Sequence, residues 1–185
     1  MSGRVVFVTG GARSGKSTFA EAYVRKHSPE GALYVATAEA LDDEMRERIA
    51  LHQQERSEAN YDWDTAECPL NLPGFLRSCK AKTVLVDCLT VWLSNELLAL
   101  ENEPQGEARL HERMQELVDA ASVHAGTVVF VTNEVGSGVV PAYKLGRIFR
   151  DAAGRLNQQI ARLAEEAYLV TAGIPIELKK RMVEL

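Results

Sequence analysis

Several absences narrow what this chain can be. Its 185 residues hold three cysteines, Cys68, Cys79 and Cys88, an odd number with no Cys-x-x-Cys pair. Neither a disulfide framework nor a zinc site is suggested by that set, and a reducing cytoplasm is the expected compartment. No apolar run approaches membrane-spanning length, so no stable membrane insertion is expected. The chain enters an apolar stretch at Arg4, which leaves no room for a signal peptide. A basic surplus is missing as well: 21 Lys and Arg face 26 Asp and Glu, for a net charge of −5. A protein that reads a phosphate backbone normally carries a basic face, so nucleic acid is not an expected partner. Internal repeats and low-complexity linkers are absent too.

What remains has the composition of a folded protein, with 46% hydrophobic and 25% charged residues. That is enough apolar material for one well-buried domain over residues 1–185, and the length is short for two. Near the start, Val5-Val6-Phe7-Val8-Thr9 reads as a strand buried on both faces, because it is almost wholly apolar. Gly10-x-x-x-x-Gly15-Lys16-Ser17 follows, and Phe19, Ala20, Tyr23 and Val24 continue at helical spacing. A strand, a glycine-rich turn and a helix in this order form the context of a phosphate-binding P-loop. Glycines let successive N–H groups turn inward toward phosphate oxygens, and the helix adds its positive end. Gly10, Gly11, Ala12, Arg13, Ser14, Gly15, Lys16, Ser17 and Thr18 are therefore candidate nucleotide contacts. Within them Lys16 is placed on the β and γ phosphates and the Ser17 hydroxyl on Mg²⁺.

Further along, strands and helices alternate, which predicts an α/β fold with a mainly parallel sheet and helices on both faces. Strands are expected at Ala32 to Ala36, Trp63 to Glu67, Thr83 to Asp87, Thr127 to Thr132 and Ala167 to Val170. An edge strand is expected over Gly173 to Leu178, since Pro175 cannot donate to a ladder. Helices are expected at Lys16 to His27, Asp42 to Arg56, Asn71 to Ser78, Thr90 to Leu100, Glu107 to Val123 and Leu145 to Ala164. The residues from Lys179 read as a solvated tail. Loops at strand carboxyl ends, including Thr37-Ala38 and Asn133 to Pro141, are where ligands bind in open α/β sheets.

Thr83-Val84-Leu85-Val86-Asp87 ends an apolar strand in an acid. A carboxylate placed this way beside the P-loop strand holds Mg²⁺, so Asp87 is a candidate metal ligand with Ser17. These features say nucleoside triphosphate and Mg²⁺, and leave a small-molecule kinase, a nucleotidyltransferase or a GTPase-type switch. The guanine-reading Asn-Lys-x-Asp stretch of switches is missing. His52 lies among Arg48, Gln53, Glu55 and Arg56, and a neutral imidazole is a competent nucleophile at cellular pH. Attack on phosphorus would give a phosphoramidate whose ring nitrogen leaves once protonated. His27, His111 and His124 read as structural.

Several long motifs stand in order along the chain. They are Thr9 to Ser17, Leu41-Asp42-Asp43-Glu44-Met45 with Arg48, Ile49 and His52, Thr65 to Cys68, Val131 to Pro141, and Phe149 to Gln158. Together they resemble the bifunctional adenosylcobinamide kinase / adenosylcobinamide-phosphate guanylyltransferases, over nearly the whole chain. The resemblance implies a RecA-like P-loop fold, a homo-trimer, and two reactions of cobalamin assembly using GTP or ATP. In the first, the substrate's terminal hydroxyl takes a γ-phosphate. In the second, GTP guanylylates a histidine, and the GMP passes on to give adenosylcobinamide-GDP. The guanylylated histidine falls on His52, although Leu51 stands where the family often has arginine or histidine. By the same resemblance Ala36, Thr37, Ala38, Gln53, Gln54, Glu55, Arg56, Glu67 and Asp87 also touch the nucleotide. Asp87 could then read the guanine or ribose rather than the metal.

Overall fold

The structure is a computed structural model, and it describes residues 3–39, 47, 50, 54, 56 and 60–183. Its centre is a seven-stranded sheet in the order β3-β2-β4-β5-β1-β6-β7. The strands are β1 (Arg4–Gly10), β2 (Ala32–Ala36), β3 (Trp63–Glu67), β4 (Thr83–Asp87), β5 (Thr127–Asn133), β6 (Glu166–Thr171) and β7 (Ile174–Glu177). All neighbours run parallel except β6 and β7, which form an antiparallel hairpin at one edge. Pro175 lies in that edge strand, where a missing N–H costs no interior ladder bond.

Helices cover both faces, as the unbroken apolar strands require. On β1, Val6 and Val8 pack with Ala20, Tyr23 and Val24 of α1 (Lys16–His27). Val5 and Phe7 point the other way, against a larger cluster. There α2 (Leu72–Ser78), α3 (Leu89–Ala99), α4 (Gly106–Val123) and α5 (Lys144–Leu163) bring in Leu72, Trp92, Leu117 and Leu156. The period of two along each strand thus assigns each side chain to a layer. On α4, Leu110, Met114, Leu117 and Ala121 are buried, as helical spacing predicts. The α/β class and mainly parallel sheet expected from the sequence are what the chain adopts.

Of three further expectations, one lies mostly outside the described residues and two meet a different outcome. The predicted helix over Asp42 to Arg56 is described only at Glu47, Ala50, Gln54 and Arg56, which are helical as expected. The stretch from Lys179 is not a plain tail. Lys179–Arg181 makes a 3₁₀ turn, with Leu178 N–H donating to Ala167 O at 2.7 Å and Lys179 N–H to Glu177 Oε1 at 3.2 Å. Third, β4 is not beside the P-loop strand, because β5 pairs with both and lies between them. A parallel strand enters through a helical crossover, so sequence order does not set sheet order. The strand β5 buries five successive residues and takes the central place in the sheet.

Candidate active site

The strand carboxyl ends bring Gly10, Ala36, Glu67, Asp87 and Asn133 to one edge. Register fixes this, since Ala36 pairs with both Glu67 and Asp87, and Gly10 pairs with Asn133. From Gly10 the chain turns through Gly11 to Gly15 and enters α1 at Lys16. Arg13 has φ 55° and Gly15 φ 89°, left-handed conformations that turn the chain into a concave loop. Ser14 N–H donates to Gly11 O at 3.3 Å and Phe19 N–H to Gly15 O at 2.9 Å. No side chain caps α1, and its first turn carries no acid. The positive end of the helix is thus open to an anion.

Lys16 is 8% exposed, and its Nζ donates to Gly11 O at 3.2 Å across the loop. A buried ammonium held over the loop's own carbonyl stands ready to neutralise phosphate charge. Ser17 is partly buried and Thr18 exposed, both on the first turn of α1. Gly10 tolerates no side chain: a Cβ there would overlap Val170 O and lie 2.5 Å from Ser14 Oγ.

Asp87 ends β4 at the same edge of the sheet. The Tyr34 hydroxyl donates to its Oδ2 at 3.1 Å. Burial raises the Tyr34 phenol above its ordinary range and Asp87 adds to the shift, so Tyr34 remains a donor. Over the Tyr34 ring, 3.7 Å from its centroid, lies the Arg56 guanidinium, itself 4.0 Å from Glu21 Oε1. The next peptide, Asp87-Cys88, is cis. Thr37, wholly buried, clamps it: Thr37 Oγ1 donates to Cys88 O and accepts from Cys88 N–H, both at 2.8 Å. Asn95 Nδ2 holds Thr37 O at 2.9 Å. Burial, with Asp87 second, pushes the Cys88 thiol up to about 11, and Lys16 opposes the shift.

The sequence-predicted residues therefore divide. The P-loop set from Gly10 to Thr18 and the strand ends Ala36 to Ala38, Glu67 and Asp87 share one edge. Within it, the Thr37 side chain is committed to Cys88. Gln54 is exposed, and Arg56 is buried against Tyr34. His52, Gln53 and Glu55 lie outside the described residues. Sequence reasoning missed Tyr34, Thr37's clamp and Asn95. A tyrosine two residues before the end of an apolar strand was the available signal for the first.

The donor set at the edge fits Mg²⁺, which prefers oxygen ligands and keeps several waters beside substrate phosphates. One hydroxyl, Ser17, and one carboxylate, Asp87, answer that chemistry. Among the described residues no cluster of three or more His, Cys, Asp or Glu could form an all-protein metal cage. No helix of the described residues is long and apolar enough to cross a membrane.

A parallel α/β sheet with this loop at its carboxyl edge defines a P-loop nucleotide-binding protein. Residues 6–178 match the family described as cobinamide kinase / cobinamide phosphate guanyltransferase, and the chain belongs to that family. It is 42% identical to the bifunctional adenosylcobalamin biosynthesis protein CobU of Salmonella typhimurium LT2, over 95% of this chain and 99% of that one. Identity to the bifunctional adenosylcobalamin biosynthesis protein CobU of Escherichia coli K12 is 40% over the same shares. With the bifunctional CobP of Pseudomonas aeruginosa PAO1 it is 42%, over 93% and 95%. Among solved structures, a KaiC-like protein of Pyrococcus horikoshii OT3 is 17% identical. Its TM-score is 0.46, with 91% of this chain and 71% of that one covered.

Proposed function

We propose that this chain phosphorylates the terminal hydroxyl of adenosylcobinamide from ATP or GTP, then guanylylates the product from GTP through His52. One observation carries the reading: the family match over residues 6–178 takes in both the P-loop and His52. In the first reaction the substrate hydroxyl oxygen attacks the γ-phosphorus, the β–γ bridge bond breaks, nucleoside diphosphate leaves, and the hydroxyl proton passes to solvent. Lys16 and the loop N–H groups neutralise the charge that develops on the β and γ oxygens. Ser17 and Asp87 would hold Mg²⁺, which when bound would offset phosphate charge. Tyr34 keeps Asp87 oriented from below.

In the second reaction a ring nitrogen of His52 attacks the α-phosphorus, the α–β bridge bond breaks, and pyrophosphate leaves. The same loop stabilises that leaving group. A phosphate oxygen of adenosylcobinamide phosphate then attacks the α-phosphorus, and the P–N bond breaks as the imidazole takes a proton. Arg48 or Arg56 contacts the α-phosphate, and Gln53, Gln54, Glu55 and Glu67 help frame the nucleotide. The same reading places the chain in the cytoplasm, which its free Cys68, Cys79 and Cys88 suit. It also takes the chain as a homo-trimer, which the exposed Ile174, Ile176 and Met182 support.

The test incubates the protein with GTP labelled at the α or the γ position and then denatures it. Acid-labile, alkali-stable label from the α position alone supports a histidine-linked GMP. No retained label removes the transferase and leaves a single-function kinase or a GTP-dependent regulatory module. His52→Ala should abolish retention while sparing much of the kinase step. Sedimentation as a monomer would remove the trimer.

A further inference from the structure

A closed ring of hydrogen bonds surrounds the last peptide of β5. Asn133 N–H donates to Thr90 Oγ1 at 2.7 Å. Thr132 Oγ1 donates to Asn157 Oδ1 at 2.9 Å. A hydroxyl has one hydrogen, so in the 3.2 Å contact between Thr90 Oγ1 and Thr132 Oγ1 the donor is Thr90. Asn157 Nδ2 returns to the Asn133 carbonyl at 3.3 Å. Every member donates once and accepts once, and the circuit begins and ends on Asn133.

The three side chains come from α3, β5 and α5, and each is at least nine-tenths buried. Burying polar groups is costly unless all are satisfied, and a complete network is rigid. Stability alone would be served by apolar side chains here. What the ring fixes is one position at the chemical edge of the sheet. Asn133 is in register with Gly10, the first P-loop residue, on the strand that separates β1 from β4. The adjoining Glu134 N–H donates to Gly10 O at 3.1 Å, tying the strand end to the loop. Yet the Asn133 carboxamide has no hydrogen-bond partner among the described residues, and it is partly exposed. The backbone is held from both sides while the side chain is left available.

We infer that the Asn133 carboxamide donates to a γ-phosphoryl oxygen of the bound nucleoside triphosphate during transfer to the acceptor hydroxyl. Thr90, Thr132 and Asn157 are positioning residues that hold it there. This rests on the kinase half of the proposed function. A neutral donor already fixed in place can meet the charge spread over the equatorial oxygens without reorganising. Asn133 makes and breaks no bond. Guanylylation cleaves at the α-phosphorus, so it depends less on this contact.

The test uses the full chain and measures kcat and KM for adenosylcobinamide phosphorylation with ATP, Mg-ATP affinity by equilibrium dialysis, and single-turnover retention of GMP. Asn133→Ala keeps the ring, which uses only the Asn133 backbone. The expected result is a fall in kinase kcat of about 10²-fold, with ATP affinity and GMP retention changed by less than about 10-fold. Thr132→Val opens the ring and should lower kcat in the same direction, whereas Thr132→Ser, which keeps the hydroxyl, should restore it. Unchanged kcat in Asn133→Ala would overturn the inference. So would parallel losses in all three measurements, which mark a structural role. A wild-type chain that phosphorylates no adenosylcobinamide removes the proposed function and this inference together. A wild-type kinase indifferent to Asn133 removes this inference alone.

Discussion

The Tyr34 hydroxyl donates its hydrogen bond to Asp87 Oδ2 at 3.1 Å, from one strand to the end of its neighbour. Tyr34 is a deeply buried phenol, so the bond is made in a setting where an unmet carboxylate oxygen is expensive. It occupies one of the two Asp87 oxygens.

Tyr34→Phe deletes that donor and leaves the ring that the Arg56 guanidinium covers. The expected cost is about 1–3 kcal/mol of stability, since Asp87 loses a buried partner. Mg-nucleotide binding should weaken as the carboxylate loses its orientation. Urea unfolding and nucleotide titration, with and without Mg²⁺, read the two effects separately. A variant as stable as wild type with unaltered Mg²⁺ dependence would show that Tyr34 does not position Asp87.

Gly10→Ala tests the loop from the opposite direction. The added methyl would overlap the Val170 carbonyl and press on Ser14 Oγ at 2.5 Å. Backbone cannot yield there cheaply, because Gly10 pairs with strands on both sides. Overpacking of this kind costs about 1–3 kcal/mol. For a chain of this size each kcal/mol lowers Tm by about 2–4 °C. Nucleotide affinity should fall further than stability, since the displaced group is the loop itself. Calorimetry with and without ATP makes the comparison, and full ligand-induced stabilisation would contradict it.

How much of this was legible beforehand follows from the range of each interaction. The P-loop could be read because its function lies in consecutive residues: glycines, a lysine and a hydroxyl at fixed spacing between a strand and a helix. Apolar strands ending in Asp87 and Asn133 could be read for the same reason. Strand order could not, because β5 comes late in the chain yet stands between the Asp87 strand and the loop strand. The buried polar contacts were hidden for a related reason. Thr37, Cys88 and Asn95 meet across more than fifty residues, and Thr90, Thr132 and Asn157 across three elements. A threonine at the end of an apolar strand and an asparagine on the apolar face of a helix are the only traces such a ring leaves in sequence. The Arg56 guanidinium over the Tyr34 ring is another long-range contact with no local sequence trace.

Cys88 gives a prediction about pH. Its thiol is pushed up from an ordinary value of 9.0 to about 11, chiefly by burial. The folded chain therefore holds that proton more tightly than the unfolded one. Its contribution to stability is fully present below about pH 9. It is lost as pH rises through the window toward 11, and stability should fall there. The raised Tyr34 phenol acts in the same sense at still higher pH. Cys88→Ala should flatten the Cys88 part of that decline in urea titrations between pH 8 and 11. At neutral pH, alkylation should reach the partly exposed Cys79 well before Cys88, because the thiolate is the nucleophile. Equal rates at the two would contradict the burial argument.

The hairpin joining β6 and β7 offers a change that should stabilise. Its two-residue loop is Ala172-Gly173, and both residues have positive φ, 51° and 78°. That is the requirement of a type I′ turn, which favours Asn-Gly and has no liking for alanine in the first place. Alanine in this conformation costs about 1–2 kcal/mol. Ala172→Asn should recover about 0.5–1 kcal/mol, visible as a higher urea midpoint with an unchanged slope. Gly173→Ala should move the midpoint down by a similar amount. Its Cβ would meet nothing within 4 Å, so only backbone conformation is changed. The turn also matters to the site, because Gly173 N–H donates to Ser14 O at 2.8 Å, and a Cβ added at Gly15 would come within 3.3 Å of Gly173 Cα. A hairpin tip that is strained at Ala172 is thus the outer support of the P-loop. If relaxing it raises stability while protecting the Gly173 amide more strongly from hydrogen exchange, the loop and the hairpin are one mechanical unit. If the midpoint rises and that amide exchanges as before, the turn's strain is local and the P-loop is held from β1 and α1 alone.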